Sequence, residues 1–429
     1  MSRTFAALAQ PNYRWFLSGQ AVTNIGTWMQ RVAQDWLVLE VTHGDAVALG
    51  LVTALQFLPF IVLAPFAGVV ADRVSPRTVL AGTGMLGAVA AGALAAATIA
   101  GAADLGLIFI AGAVLGLAAA FDQPARQVLV GLLVPRESLA NAVALNSATF
   151  NLARIIGPAL AGLAIAAVGS GPVFAVNAAS FLVAVLTLGM LRPARFERLP
   201  EATDTAERVT FTAGVAYLRS RPDLMIVLAA AGLAALFAFN YSITIALMAT
   251  AEFGRGAAEF GLLGAALSVG SITGSLLSAR RRVPVNLPFV LISGVGFGVV
   301  TAVAGLMPSY LWFAVALPIC GLAALTFSVA AQSYLQLHTA PHVRGRVMGF
   351  YTLVFFGSNP VGAPLLGWVS MEFGPRWGLI GGGVLAVVAL LALSWLAARR
   401  GAALPVEAAS VEAAAAVEVE RSRATVPVR

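Results

Sequence analysis

The stretch GVVADRVSPR, from Gly68 to Arg77, is a short charged hairpin between two long apolar segments. FLPFIVLAPFA runs directly into it, and TVLAGTGMLGAVAAGALAAATIA follows it without a gap. This pattern predicts two membrane helices that turn back on each other at the membrane face. Gly68 would let the helices approach closely. The Asp72 carboxylate could accept hydrogen bonds from exposed amide groups at a neighbouring helix end. Arg73 and Arg77 favour the cytoplasmic side.

The composition places the whole chain in a membrane. Hydrophobic residues make up 59% and charged residues 10% of the 429 residues, and the mean hydropathy is +0.89. In soluble domains roughly 45–50% of the residues are hydrophobic and about 25% are charged. Twelve spans of about twenty residues each would use about 240 positions. We therefore predict an all-α integral membrane protein with twelve transmembrane helices.

A polar segment divides the chain into two halves. RPARFERLPEATDTAER begins at Arg192 and interrupts the apolar pattern, and an Ala- and Glu-rich stretch follows Arg400. We predict a six-helix bundle over 1–191, a cytoplasmic linker over 192–222, a second six-helix bundle over 223–398 and a cytoplasmic tail over 399–429. A shift of 205 residues sets Phe150, Gly157 and Gly162 on Phe355, Gly362 and Gly367, which indicates an internal repeat.

The arginines indicate the orientation. They concentrate in the even-numbered connections, as in the hairpin and the linker, which predicts a multi-pass membrane protein with both termini in the cytoplasm. The net charge of +7 follows this placement and does not indicate a nucleic-acid partner. The first helix would serve as an uncleaved insertion signal. The lone Cys320 excludes disulfides and cysteine-based metal sites, and we expect neither metal nor cofactor.

The first span carries an unusual polar stripe. At three- and four-residue spacing its members gather on one side of a helix. They are Gln20, Asn24, Thr27, Trp28, Arg31 and Asp35. Charges inside a bilayer normally face a polar interior, so the stripe is predicted to line a substrate cavity, with Asp35 carrying protons and Arg31 tuning it. The alternative is a permanently ionised structural pair.

The fifth span reads NLARIIGPALAG, which places Asn151, Arg154, Pro158 and Gly162 on one face with Gly157 close by. Arg154 would contact an anionic substrate or pair with Asp35 across the cavity. Alternatively, it donates hydrogen bonds to carbonyl groups of neighbouring helices.

The fourth span ends in FDQPARQ, where Asp122 and Arg126 are four residues apart. Their pairing is expected to form a cytoplasmic gate or, alternatively, a simple helix-end ion pair. Pro124 is expected to break the helix there.

These motifs resemble the major facilitator superfamily. The hairpin is similar to the loop between its second and third helices, which implies that Asp72, supported by Gly68, Arg73 and Arg77, latches one conformational state. An ordinary Arg-bearing hairpin is the competing interpretation. GPALAG resembles a diverged form of the antiporter motif of this superfamily, which implies a helix kink at Gly157, Pro158 and Gly162. Together with NIGTWMQ and FDQPARQ, it looks like the bacterial branch of enterobactin exporters and macrolide efflux proteins, which implies a location in the bacterial inner (plasma) membrane.

Motif absences narrow the function. The sequence has no GxxxxGK[ST], HExxH or GxSxG, so we predict a transporter driven by a gradient rather than an enzyme. The predicted function is export of amphipathic small molecules, such as a drug, macrolide or siderophore, by proton antiport with alternating access. The expected partners are the substrate, protons and the lipid bilayer, with the chain acting as a monomer. Alternatives are an importer or facilitator of a small organic anion, and a sensor that has lost transport.

Overall fold

A computed structural model describes residues 3–191, 211–281, 285–340 and 343–399 of the chain. Within these ranges the side chains of residues 3–5, 60, 64–65, 68–69, 71–72, 136 and 211–213 lie outside the description. The described residues form helices and short turns without strands. The predicted tail and most of the predicted linker, residues 192–210, lie outside the described ranges.

In the described ranges, fifteen α-helices follow a 3-10 helix at Arg3–Ala9. In the first half they are α1 Pro11–Val41, α2 Ala46–Arg73, α3 Pro76–Ile99, α4 Leu105–Leu133, α5 Arg136–Val168 and α6 Ser170–Gly189. In the second half they are α7 Phe211–Ser220, α8 Pro222–Phe237, α9 Tyr241–Leu247, α10 Ala257–Ala279, α11 Leu287–Gly305, α12 Tyr310–His338, α13 Arg344–Gly357, α14 Asn359–Phe373 and α15 Pro375–Arg399. A π-helical segment, Met248–Glu252, extends α9.

Side-chain caps begin several of the long helices. Asp45 accepts from the backbone N–H of Val47 at 2.8 Å, and Asp104 from that of Leu107 at 2.7 Å. In the hairpin, Ser75 accepts from the N–H of Thr78 at 3.2 Å while Pro76 occupies the first turn. Such caps satisfy amide groups that a helix start leaves unpaired. They allow turns short enough to connect neighbouring spans directly.

Ten described helical segments are long and apolar enough to cross a membrane. One of the ten, Pro222–Glu252, runs through α8, α9 and the π-helical extension. Two predicted spans are not among them: α1, which carries the polar stripe, and the α13–α14 pair, which is interrupted at Ser358. The count of twelve membrane spans in two bundles therefore stays a prediction.

Three local expectations need correction. Pro124 does not break α4, which continues to Leu133; the proline ring removes one N–H donor but the remaining backbone bonds hold the helix. Two spans that hydropathy predicts as continuous, residues 223–249 and 346–371, are interrupted, the first between Phe237 and Tyr241 and the second at Ser358. Apolar composition alone does not report such interruptions, because it is the same on both sides of each break.

Two groups of helices pack among themselves. Within α1–α6, helix α1 packs on α5 and α6, and α3 on α4 and α6; within α8–α15, helix α10 packs on α12, and α11 on α12 and α15. The groups meet mainly along α2 with α14 and α5 with α10. This arrangement leaves α1, α5 and α8–α9 near the junction between the groups.

Candidate functional site

The polar stripe of α1 lies inside the helix bundle. Gln20, Asn24 and Asp35 are buried, with 6%, 9% and 7% of their surfaces exposed, and Thr27 is half-buried. Arg31 is solvent-exposed although protein surrounds it, so its side chain lines an internal space. The stripe therefore lies within the bundle, with Arg31 as its exposed member, and its role as a substrate cavity stays a prediction.

Arg31 and Asp35 do not form a direct ion pair. The described residues provide no nitrogen within 4.0 Å of the Asp35 carboxylate and no hydrogen bond to it. Arg31 instead places its guanidinium carbon 4.9 Å from the ring centre of Trp28, a cation–π contact. Asp35 is thus a buried acid close to, but not locked by, a cation.

Trp28 joins α1 to α5. Its ring lies 5.8 Å from that of Phe150 in an edge-on arrangement, and a Cβ built on Gly157 would lie 3.3 Å from the carbonyl oxygen of Ile25. Because α5 approaches the backbone of α1 at Gly157, the face of α5 one turn earlier, which carries Arg154, adjoins Trp28.

Arg154 has no partner among the described side chains and backbone groups. Its Nε atom is buried and donates no hydrogen bond, and no carboxylate of the described residues lies within ion-pair distance. Asn151, predicted on the same face, donates to the carbonyl of Ser147 in its own helix at 2.8 Å. The structure therefore separates these two residues: Asn151 is locally satisfied and Arg154 is not.

A second polar face of α1 was not part of the predicted site. Gln30 accepts a hydrogen bond from the Asn177 amide on α6, and the Ser180 hydroxyl donates to Asn177 Oδ1 at 2.9 Å. Gln34 donates to the carbonyl of Ile108 on α4 at 3.3 Å. All four side chains are buried or nearly so, and these bonds hold α1 against α4 and α6 while its other face lines the cavity. The sequence signal that could have predicted this second face is the presence of Gln30 and Gln34 beside the stripe.

The predicted gate residues form an ion pair. Arg126 donates through Nε at 2.9 Å and through a second nitrogen to the same Asp122 oxygen, and about a quarter of each side chain is exposed. The pair lies within α4, two turns before its end at Leu133, so it stabilises that helix whatever its role in gating.

The charged hairpin is anchored to α6. Arg77 donates to the carbonyl oxygens of Gly189 at 3.1 Å and Leu191 at 3.5 Å, which close the end of α6. Arg73 is exposed. Gly68 and Asp72 lie in α2, but their side-chain positions fall outside the described ones.

The antiporter-like segment of α5 packs against the second half. A Cβ built on Gly162 would lie 3.0 Å from the carbonyl oxygen of Ala258 on α10. On the other side of the molecule, a Cβ on Gly50 of α2 would lie 2.7 Å from the carbonyl oxygen of Ala363 on α14. Helix α5 runs unbroken through Pro158. These small residues let helix backbones from the two halves touch.

All these backbone contacts lie toward one end of the bundle, which we call the distal end. It is the end at which the α1–α2 turn (residues 42–45) and the α5–α6 turn at Gly169 lie. Further down α2, a Cβ on Gly357 would meet Ile61 at 3.8 Å, and Phe57 stacks on Phe356 at 6.1 Å. The glycine contacts described between the halves extend no further than this level.

The interruption between α8 and α9 is held by Asn240. Its amide nitrogen donates to the carbonyls of Ala235 at 3.2 Å and Leu236 at 3.0 Å, two groups that a continuous helix would have paired. The Asn240 Oδ1 atom is buried without a partner. The break thus leaves an unsatisfied hydrogen-bond acceptor near the junction of the two halves.

A polar cluster in the second half was not predicted. Arg221 donates from Nε at 2.9 Å and a second nitrogen at 2.8 Å to the buried carboxylate of Asp223, and Tyr334 donates to it at 3.1 Å. The hydrogen bonds that Arg221 donates to Asp223 raise the pKa of Arg221 above its ordinary value. The cluster fixes the start of α8 to the end of α12.

Curated relatives of the chain are exporters and transporters. It is 23% identical to a staphyloferrin A transporter of Staphylococcus aureus, covering 84% of this chain and 90% of that one. It is 22% identical to macrolide efflux protein A of Streptococcus pyogenes, covering 87% and 93%. It is 28% identical to an enterobactin exporter of Escherichia coli, covering 67% and 70%.

Solved structures share the fold. A bacterial homologue of the human lysosomal transporter Spinster, in an inward-facing and unoccupied conformation, matches with a TM-score of 0.70 at 17% identity, covering 91% of this chain and 97% of that one. A D-xylose–proton symporter matches with a TM-score of 0.68 at 13% identity, covering 89% and 96%. The family model described as "Transmembrane secretion effector" matches residues 2–429. The chain therefore belongs to this transmembrane secretion effector family of the major facilitator superfamily.

Proposed function

We propose that the chain exports amphipathic small molecules, such as a drug, macrolide or siderophore, across the bacterial plasma membrane by alternating access. The observation that carries the proposal is the closure between the halves at the distal end, with an internal space lined by Arg31 beneath it. A cavity closed at one end and reached from the other is the arrangement expected of one state of such a cycle.

The arginine distribution supports an extracellular distal end. Arg73 and Arg77 lie at the opposite end, and the cytoplasmic face of membrane proteins is enriched in such residues. With both termini in the cytoplasm and six spans in each half, a cavity closed at the distal end would open inward. Export would then begin with capture of substrate from the cytoplasm or the inner leaflet.

Proton antiport is assigned to Asp35. Its carboxylate is buried beside the cavity and makes no ion pair with the described residues. A buried acid without a bonded cation changes its protonation state at lower free-energy cost than one in a salt bridge, because no ion pair has to be broken. Arg31, one turn away, would favour the ionised form until substrate arrives.

The hairpin is proposed as the conformational latch. Arg77 already fixes the start of α3 to the end of α6, which gives Asp72 a rigid frame from which to engage the second half. The Asp122–Arg126 pair on α4 is proposed as the cytoplasmic gate. We expect the chain to perform the cycle as a monomer.

An accumulation assay tests the proposal. Bacteria lacking their own pumps would express wild type, Asp72→Asn, Asp35→Asn or the control Glu372→Gln, which alters an exposed acid. We expect wild type and the control to lower the accumulation of at least one fluorescent dye, macrolide or siderophore, and both aspartate variants to restore it. Equal accumulation in wild type and empty vector across the panel would contradict export.

A second candidate function is import or facilitated entry of a small organic anion. It is favoured by the two cationic side chains Arg31 and Arg154 at the cavity. Uptake of a labelled organic acid by whole cells, with no change in drug or siderophore accumulation, would support this alternative over export.

A further inference from the structure

An unpaired arginine on α5 is the starting point. Arg154 lies near the middle of Arg136–Val168, and its buried Nε makes no hydrogen bond with the described residues. Holding a guanidinium inside the membrane without an acceptor costs free energy that packing alone does not return. The described backbone carbonyls do not accept from it, so bracing of neighbouring helices does not account for its presence.

The surroundings of Arg154 form a mixed aromatic and cationic surface. Phe150, one turn earlier on the same helix face, is 47% exposed and touches the edge of Trp28. Arg31 lies over the other part of that indole at 4.9 Å and is exposed to the internal space. One guanidinium, that of Arg31, thus contacts this pair of aromatic rings, and a second, that of Arg154, lies one helical turn along α5 from Phe150.

The described acids do not neutralise this surface. Asp122 is engaged by Arg126, and Asp35 makes no bonded contact with either cation. Two arginines and one carboxylate leave an excess positive charge at the cavity wall, enclosed by apolar helices. In such surroundings an anionic group is attracted far more strongly than in water.

We infer that Arg154, assisted by Arg31, binds an acidic group of the transported molecule while Trp28 and Phe150 contact its apolar part. The inference rests on the proposed transport function and names its substrate class: amphipathic organic anions, bearing a carboxylate or a comparable acidic oxygen. A guanidinium presents its N–H groups in a fork that matches two such oxygens.

Binding of matched acid and amide probes tests the inference. The full chain would be reconstituted in phosphatidylcholine nanodiscs. It would be titrated with pyrenebutyrate and pyrenebutanamide, naphthylacetate and naphthylacetamide, and indoleacetate and indoleacetamide. The variants are Arg154→Gln, Arg154→Lys and Arg31→Gln, with Arg14→Gln as a control that removes an exposed arginine from the same helix as Arg31.

We expect at least one acid to bind more tightly than its amide. Arg154→Gln should lower the affinity for that acid by about tenfold or more, because a hydrogen bond to a charged group is lost. The affinity for the amide should not change. The affinity of Arg154→Lys for the acid should lie between those of wild type and Arg154→Gln, and the affinity of Arg14→Gln should match that of wild type. Unchanged amide binding shows that the variant cavity is intact. The inference is overturned if no acid is preferred, or if Arg154→Gln weakens acid and amide equally.

Two further outcomes separate this inference from others. In discs containing phosphatidylglycerol, loss of acid binding would assign the site to a lipid phosphate and overturn a substrate role. Because the titration needs no gradient and no flux, an acid preference without export would reject the proposed exporter and keep the anion site. Export limited to neutral and cationic compounds would do the reverse.

Discussion

The Cα atom of Gly261 on α10 lies 3.0 Å from the position that a Cβ on Gly162 of α5 would occupy. No side chain larger than hydrogen fits there unless the two backbones separate. Since α5 and α10 belong to different halves, this contact is one of the points at which the distal closure depends on glycine.

Substituting Gly162 should therefore open the distal end. We expect Gly162→Leu to increase the separation of α5 and α10, because its side chain meets the carbonyl oxygens of Ala257 and Ala258. Spin labels at Val168→Cys and Ala251→Cys, both exposed positions, would report the distance by electron paramagnetic resonance. The buried Cys320 should remain unlabelled.

A control glycine distinguishes closure from general damage. Gly82 on α3 has open space where its Cβ would lie, so Gly82→Leu should leave the distance distribution as in wild type. An unchanged distribution in Gly162→Leu would show that the contact does not hold the distal end closed.

Sequence patterns predicted local relationships well. The i,i+4 spacing predicted the Asp122–Arg126 pair, which the structure contains, and the α1 periodicity predicted one polar face, most of which is buried inside the bundle. Both depend only on helical geometry within one segment. The same spacing gave no direct bond between Arg31 and Asp35, because the guanidinium turns to Trp28 instead.

Long-range relationships were not predictable in the same way. The bond from Tyr334 to Asp223 joins residues 111 positions apart, and nothing in either local pattern selects the other. The break at Asn240 lies in an apolar run without proline, whereas that at Ser358 precedes Pro360, a signal that could have located it.

The cluster around Asp223 should show graded losses of stability. Arg221→Ala leaves a nearly buried carboxylate without its cation, and we expect a loss of about 3 kcal/mol in the free energy of unfolding. Tyr334→Phe removes one of three hydrogen bonds and should cost about 1 kcal/mol. Reaction of Cys320 with a thiol-reactive dye during heating would report unfolding, because this lone cysteine is buried.

The order of the two effects is the test. If Tyr334→Phe lowers the melting temperature as much as Arg221→Ala, the charge of Arg221 is not what stabilises Asp223. Ser220→Ala, which removes only a bond to the neighbouring carbonyl of Tyr217 at the exposed end of α7, serves as the nearby control.

Arg376 should be a second stabilising centre, at the distal end. It donates to Glu252 at 2.7 Å and to the carbonyls of Gly305 at 3.1 Å and Met307 at 2.8 Å, which close the end of α11. Arg376→Ala should cost about 1.5–3 kcal/mol of unfolding free energy by loss of charge-assisted hydrogen bonds. The reaction of Cys320 with a thiol-reactive dye during heating measures this loss of stability.

Arg255 offers the matched comparison. Its guanidinium carbon lies 5.6 Å from the Tyr310 ring centre and the side chain is exposed, so Arg255→Ala should cost about 0.5–1 kcal/mol. Equal melting temperatures for the Arg376 and Arg255 variants would mean that the carbonyl contacts contribute little.

Proton coupling through Asp35 gives the last prediction. In proteoliposomes loaded with a substrate found by the accumulation assay, outward flux of that substrate should drive protons inward and acidify the lumen. Asp35→Asn keeps the size and removes the titratable oxygen, so we expect substrate flux to continue without acidification. An internal pH-sensitive dye measures the effect, with Glu372→Gln behaving as wild type. Acidification that persists in Asp35→Asn would remove this carboxylate from the coupling mechanism, and loss of both flux and acidification would give it a structural role instead.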